Sequence, residues 1–412
     1  MPDQQQCSKE TSCADTGSCH RDDLEGRALH KQVGFDVPFS KTFPIEVWER
    51  VIDHLWVDPL AVGGKDLAIR DRKQVAEMRV MLQRDQYLKT VIKSVHFSTL
   101  EPLGPFAVTM AGKLRRLEDV HVGSTEWKPG MVHADAANVF LFLSTFTSIT
   151  KLTMSYVKFP SVATFGRLIC SLPRLSLLTL FWVSFTTKGY KAGTVLSPKD
   201  FVLEQFSSND CDDAADVFDC LHATRIATKT RKLTFGLFQN LYTSNGLISR
   251  RIQQLLEASG ELLTSIHLTF YFGVTPDFTE LVSFKHNTKL EILTLDLVSE
   301  WDAQMGALFS LLLDTSPSAL REIRIAAAYM PNYSDCPTNE SLFVLLDPHV
   351  CALIDRHLSA SAYKRFKVLS FELLVSPALY QTAGGEDRPT LEFWEKGLGE
   401  RFPRLKTAGS LQ

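Results

Sequence analysis

One spacing recurs along most of this chain and limits what it can fold into: an apolar residue, two of any kind, then two apolar residues separated by one. It reads Ile92-x-x-Val95-x-Phe97, Leu117-x-x-Val120-x-Val122, Ile149-x-x-Leu152-x-Met154 and Leu175-x-x-Leu178-x-Leu180. It returns as Leu263-x-x-Ile266-x-Leu268, Leu290-x-x-Leu293-x-Leu295, Leu320-x-x-Ile323-x-Ile325 and Phe366-x-x-Leu369-x-Phe371. Weaker copies lie near Leu67, Leu203 and Leu233. Successive copies stand about 25 to 33 residues apart, with one longer step before Leu369.

Alternation at Leu293, Leu295 and Leu297 against Thr294 and Asp296 is the pattern of a strand with one buried face. Between the strands, helical periodicity covers Arg72–Gln83, Ala134–Leu143, Val162–Leu172, Ala214–Leu221, Leu247–Ala258 and Ala303–Leu313. Strand then helix, about eleven times over, predicts an α/β solenoid of leucine-rich-repeat type over residues 61–412. Its parallel strands line the inside and its helices the outside, each repeat burying the apolar face of the next. A doubly wound sheet also alternates strand and helix. The short strands, the kept phase and the lack of a Gly-rich strand-to-helix turn favour the solenoid.

A net charge of −3 speaks against nucleic acid or an anionic membrane as a partner, since both need a clustered basic surface. No apolar run has the roughly 18 residues of a spanning helix, and Met1–Lys41 has no apolar signal core. The expected compartment is therefore cytoplasm or nucleus. Residues 1–41 are polar, with Gln4-Gln5-Gln6, and read as a disordered leader. Cys7, Cys13 and Cys19 stand six apart, without the close pairs of a zinc clip. The remaining five cysteines read as reduced, mostly buried thiols, and no metal or cofactor is expected.

Phosphate-loop, dinucleotide, nucleophile-elbow and zincin motifs are all missing, and the eleven histidines are scattered without pairing. The expectation is a protein that is not an enzyme. The acidic run Asn209–Asp213 lacks the glycine and glutamate of a calcium loop; Asp210 or Asp212 as helix cap for Ala214–Leu221 explains it better. Candidate client-binding residues are the aromatics at two strand ends, Trp182 and Phe185, and Tyr271 and Phe272. Alternation places half of each such cluster in the core.

Phe43–Trp56 predicts one amphipathic helix, within a segment spanning 42–60. Pro44 and Glu46 stand in its first turn, and a broad apolar arc runs through Val47, Trp48, Val51, Ile52 and Leu55. Phe43-Pro-Ile-Glu-Val47 followed by Ile52 and Leu55 resembles the opening of an F-box. With the repeats and the segment Pro102–Leu117, the chain resembles the F-box-like leucine-rich-repeat proteins of mushroom-forming fungi. The resemblance implies an adaptor: the box docks a Skp-type adaptor, and through it a cullin scaffold of an SCF ubiquitin ligase, while the repeats hold a client protein. By position, Pro44, Ile45, Val47, Trp48, Ile52 and Leu55 would make the docking face. The second half of a box, with its Cys-x-x-Trp, does not follow; Trp56–Leu60 runs on toward the first repeat strand. Without ligase docking, the alternative is a binding module whose N-terminal helix caps the first repeat.

Overall fold

The computed structural model describes residues 66–127, 136–196, 201–237, 246–271, 276–297, 306, 309–329, 346–375 and 390–412. The leader and the expected F-box-like helix, including Pro44, Ile45, Val47, Trp48, Ile52 and Leu55, lie outside the described residues.

Every expected repeat phase becomes a strand of one parallel sheet. The strands are β1 (Asp66–Ile69), β2 (Ser94–Phe97), β3 (Asp119–Glu126), β4 (Lys151–Ser161), β5 (Leu177–Phe181) and β6 (Ser184–Thr187). They continue as β7 (Gln205–Asn209), β8 (Lys232–Leu237), β9 (Ser265–Phe270), β10 (Ile292–Leu297), β11 (Glu322–Tyr329) and β12 (Val368–Val375). Their order in space is their order in sequence, except that β6 prolongs β5 and pairs with the far half of β4. A sheet that always grows in one direction by right-handed crossovers puts every crossover on one face. The result is an α/β solenoid of leucine-rich-repeat type: a strand layer, and a layer of helices such as Arg72–Arg84, Val162–Cys170, Ala214–Ala223 and Leu247–Ser259.

The core lies between the layers. Apolar residues of the repeat phase point inward, as the alternation of half-buried and buried residues along β8, β9 and β10 requires. Phenylalanine pairs tie a strand to the helix that follows it: Phe97 to Phe106 at 5.0 Å, Phe206 to Phe218 at 6.1 Å and Phe270 to Phe278 at 5.2 Å, all edge-on. The weak repeat near Leu203 keeps the phase, with Leu203 and Phe206 inward and Ser208, 3% exposed, at the third position. A small polar residue there blurred the pattern in sequence without changing the fold.

Register is set at the strand entrances. The Thr150 carbonyl accepts from both Ser176 and Leu177 N–H at 2.9 Å, and that of Ser176 accepts from Glu204 and Gln205. The same forked bond recurs from Lys93 through Arg321, where Lys367 and Val368 donate despite the longer step before Leu369. The longer step between Arg321 and Lys367 therefore leaves the ladder undisturbed. At the far edge, Ser410–Gln412 covers β12: Leu369 N–H donates to the Ser410 carbonyl at 2.7 Å and Gln412 N–H to the Leu369 carbonyl at 3.0 Å. No helix among the described residues is long and apolar enough to cross a membrane.

Candidate functional site on the helix-free face

The face of the sheet away from the helices carries residues that stand between the apolar positions, and repeats align them in rows across the strands. One row holds His96, His121, Thr153, Thr179, Ser207, Thr234, His267 and Thr294. Most of it is hydroxyl-bearing and uncharged.

At the C-terminal end of this face the backbone departs from regular strand. Ser124, Tyr156, Trp182 and Asp210 have φ of 41°, 57°, 52° and 54°, in the left-handed region where a bulky side chain is rare. The register pairs Gly123 with Ser155, Ser155 with Phe181 and Phe181 with Asn209, so these four residues occupy equivalent places on four neighbouring strands. Each breaks the alternation of its strand, and on β3 and β4 the two breaks fall opposite one another, so the register resumes in step at Thr125 and Val157. Ser155 and Tyr156 both face outward before Val157 turns in, as Phe181 and Trp182 do before Val183. The ladder nevertheless continues, with Trp182 N–H donating to the Asn209 carbonyl at 3.2 Å. Tyr156 and Trp182 therefore project side by side, with rings parallel within 4° and centroids 6.1 Å apart, 60% and 37% exposed.

One strand on, Asp210 reaches across β8 to hydrogen-bond Tyr271, the residue after β9. Gly236 makes room: a Cβ there would come within 2.9 Å of Asn209 Oδ1 and 3.1 Å of Asn209 Cα. Burial pushes the Asp210 carboxyl and the Tyr271 hydroxyl up from their ordinary values, and only for the carboxyl does their mutual hydrogen bond oppose the shift. Asp210 Oδ1 is buried without a hydrogen-bond partner. Beyond, Asp296 Oδ2 lies 2.5 Å from His267 Nε2 and accepts from Thr269 Oγ1 at 3.2 Å.

That last trio is not a catalytic relay. A relay places the carboxylate on one imidazole nitrogen and the hydroxyl on the other. Here carboxylate and hydroxyl both face Nε2, and the hydroxyl donates to Asp296. Among the described residues, no three His, Cys, Asp or Glu side chains are grouped to hold a metal ion.

Of the four expected client-binding aromatics, Trp182 stands exposed on this face. Tyr271 is half-buried beside Asp210. Phe185 is a correction: at 3% exposure it belongs to the core, against Phe159 at 6.2 Å and Phe165 at 5.8 Å, as alternation along β6 dictates. Phe272 lies outside the described residues. The expected caps are also corrected. Asp213 holds the N-cap position of Ala214–Ala223, and its carboxylate turns away to accept from Phe185 N–H at 2.8 Å and pair with Lys188 at 2.8 Å. The histidines are not all unpaired either: His96 and His121, register neighbours, stack at 4.3 Å. Tyr156 was missed, although the phase slip from Met154 to Val157 marks it in the sequence as the slip from Leu180 to Val183 marks Trp182.

The described residues thus define the class, a leucine-rich-repeat-like α/β solenoid with an outward aromatic and acidic strip. No protein-family model matches the chain, and no curated protein matches it significantly. Among solved structures, the crystal structure of a protein from Bacteroides fragilis is similar at 12% identity and a TM-score of 0.33, covering 85% of this chain and 84% of that one. A likeness that loose carries no argument, and the reading of function rests on this chain's own residues.

Proposed function

We propose that this protein is a non-catalytic binding scaffold that holds a client protein on its helix-free face. The observation that carries this reading is the exposed Tyr156–Trp182 pair, kept in a left-handed backbone conformation that costs about 1–2 kcal/mol per residue. A fold retains such strain where the surrounding structure dictates it, commonly at a binding surface, and large rigid aromatics are the usual anchors of protein interfaces. The one row beside it that is mostly hydroxyl-bearing, from β4 to β10, suits a polypeptide better than nucleic acid. The finer part of the proposal comes from the F-box-like opening at Phe43–Leu55: the scaffold is the substrate-recognition subunit, or a degenerate relative, of an SCF-type ubiquitin ligase, working by proximity.

Photo-crosslinking residues placed at Thr179 and Thr234 should capture the client, while one at Glu257, exposed on a helix, should not. Equal capture from Glu257 would sink the assignment of the face. Co-purification with a Skp-type adaptor, abolished by Pro44→Ala with Ile52→Asp, is expected of the ligase role; a wild-type chain that never binds the adaptor removes it. The second reading, a helix that caps the repeats, is favoured by β1, which has a strand neighbour on one side only among the described residues. It predicts that deleting residues 41–58 lowers the melting temperature, where the adaptor role predicts little change.

A further inference from the structure

The net charge of −3 averages over an uneven surface. At the entrances of β4, β5, β7 and β8, where the chain returns from the helix layer, stand Lys151, Arg174, Arg225, Lys229, Arg231 and Lys232, all exposed. Among the described residues of these four entrances, Glu204 is the single acid. None of the six cations has an ion-pair partner among the described residues. The register sets Lys151, Leu177, Gln205 and Lys232 in one row, so three strand steps separate the two lysines, about 14 Å. Two features set this rim apart from the solvated charges of an ordinary turn. A helix carboxyl end attracts nearby cations, but the one stretch from Arg225 to Lys232 holds four of them. Arg225 also has φ of 59°, the left-handed place after helix Ala214–Ala223 that Gly112, at 67°, fills after helix Leu103–Met110. Glycine is the usual residue there, and a long cation in its stead costs stability.

We propose that this rim binds an acidic segment of the client protein, its Asp and Glu carboxylates lying against Arg174, Arg225, Arg231 and Lys232. This rests on the binding-scaffold reading and names what the client must offer. Lys151 and Lys232 stand two residues before Thr153 and Thr234, on the same face of their strands. A polypeptide lying on the hydroxyl row therefore reaches the cations without leaving the face. Carboxylates suit arginine well, because its planar fork meets both oxygens at once. A single-stranded nucleic acid fits less well. The aromatics at these entrances, Phe146, Phe201 and Phe206, are all buried, so among the described residues no ring is offered for a base to stack on.

The test uses the full chain and three fluorescently labelled probes. They are a blocked decapeptide alternating glutamate with serine, its lysine counterpart, and a hexathymidylate strand, which also carries five negative charges. Anisotropy should rise saturably with the glutamate peptide, with an affinity that falls as salt is raised, and stay flat with the lysine peptide. Arg231→Glu with Lys232→Glu should weaken the glutamate peptide about tenfold. Arg79→Glu, exposed on helix Arg72–Arg84, should leave it unchanged. If the double variant does not fold, Arg174→Glu serves the same end, with a several-fold loss expected. Arg225→Gly separates binding from structure: it should raise the melting temperature slightly and still weaken the peptide. A glutamate peptide that does not bind, or binds undiminished to the rim variants, overturns the proposal. So does an equal loss from Arg79→Glu, or a hexathymidylate that binds as tightly as the peptide. A chain whose client crosslinks from Thr179 and Thr234 equally well with and without the rim substitutions sinks this inference alone; one that captures no client sinks the scaffold reading beneath it.

Discussion

At the scale of single residues, the helix-free face holds groups whose environment is set by neighbours about a repeat away in sequence. His121 is the plainest case. It stacks on His96 at 4.3 Å, its Nε2 lies 3.3 Å from Ser155 Oγ, and Asp119 precedes it on the same face of β3. Burial and His96 lower its pKa, and Asp119 opposes them. A histidine whose folded pKa lies below the unfolded value near 6.5 stabilises the fold fully above that value and loses the contribution as pH falls through the folded one. His357, lowered by burial, acts in the same direction. Melting temperature should therefore fall between pH 7.5 and 5.5, and His121→Gln should make that fall shallower without abolishing it. Identical slopes for wild type and variant would show that His121 contributes nothing. The pairing was readable only once the repeats were aligned, since both histidines occupy the place between the second and third apolar positions.

Elements are held by devices of two kinds, and they were legible to different degrees. Local caps follow from short sequence: Asp71 Oδ1 accepts from Gln74 N–H at 2.9 Å, and Asp347 caps the helix opened by Pro348. Long-range caps do not. Asp355, 3% exposed within helix Pro348–Leu358, accepts from Arg404 N–H at 3.2 Å and Leu405 N–H at 2.9 Å, nearly fifty residues on. It thereby fastens helix Pro403–Thr407, whose continuation Ser410–Gln412 covers the edge of β12. Asp355→Ala should cost about 1–3 kcal/mol, the penalty of leaving the buried Leu405 amide and the part-buried Arg404 amide without an acceptor. The loss should be local: amide exchange at Leu405, Leu369 and Gln412 is expected to accelerate, while that at Leu268 in β9 stays slow. Uniform acceleration would mean that the edge and the central strands open together.

Across the whole solenoid the packing is between neighbours, so a defect should be felt near where it is made. Phe235, fully buried on β8, packs edge-on against Phe218 at 5.4 Å and against Phe206 on the preceding strand at 6.2 Å. Phe235→Ala should remove about 3–5 kcal/mol from the surrounding repeats. Because repeats couple chiefly to the next in line, unfolding should then split, with exchange protection lost around β7–β9 before β2–β3. A single sharp transition with uniform loss of protection would argue that the array behaves as one cooperative unit.

The strand phase, the direction in which the sheet grows and helices such as Arg72–Arg84, Val162–Cys170, Ala214–Ala223 and Leu247–Ser259 were determined by the sequence itself. A period-two apolar pattern repeated with a helical stretch between copies has few other ways to bury its surface. Two slips in that phase, after Met154 and after Leu180, even marked where the backbone would leave regular strand. Only the tertiary structure decided which groups those departures bring together. The left-handed row at Ser124, Tyr156, Trp182 and Asp210, the cleared place at Gly236 and the reach of Asp210 to Tyr271 each join residues from different repeats. Such contacts depend on register, and register is held by forked backbone bonds at the strand entrances, which any amino acid but proline could donate.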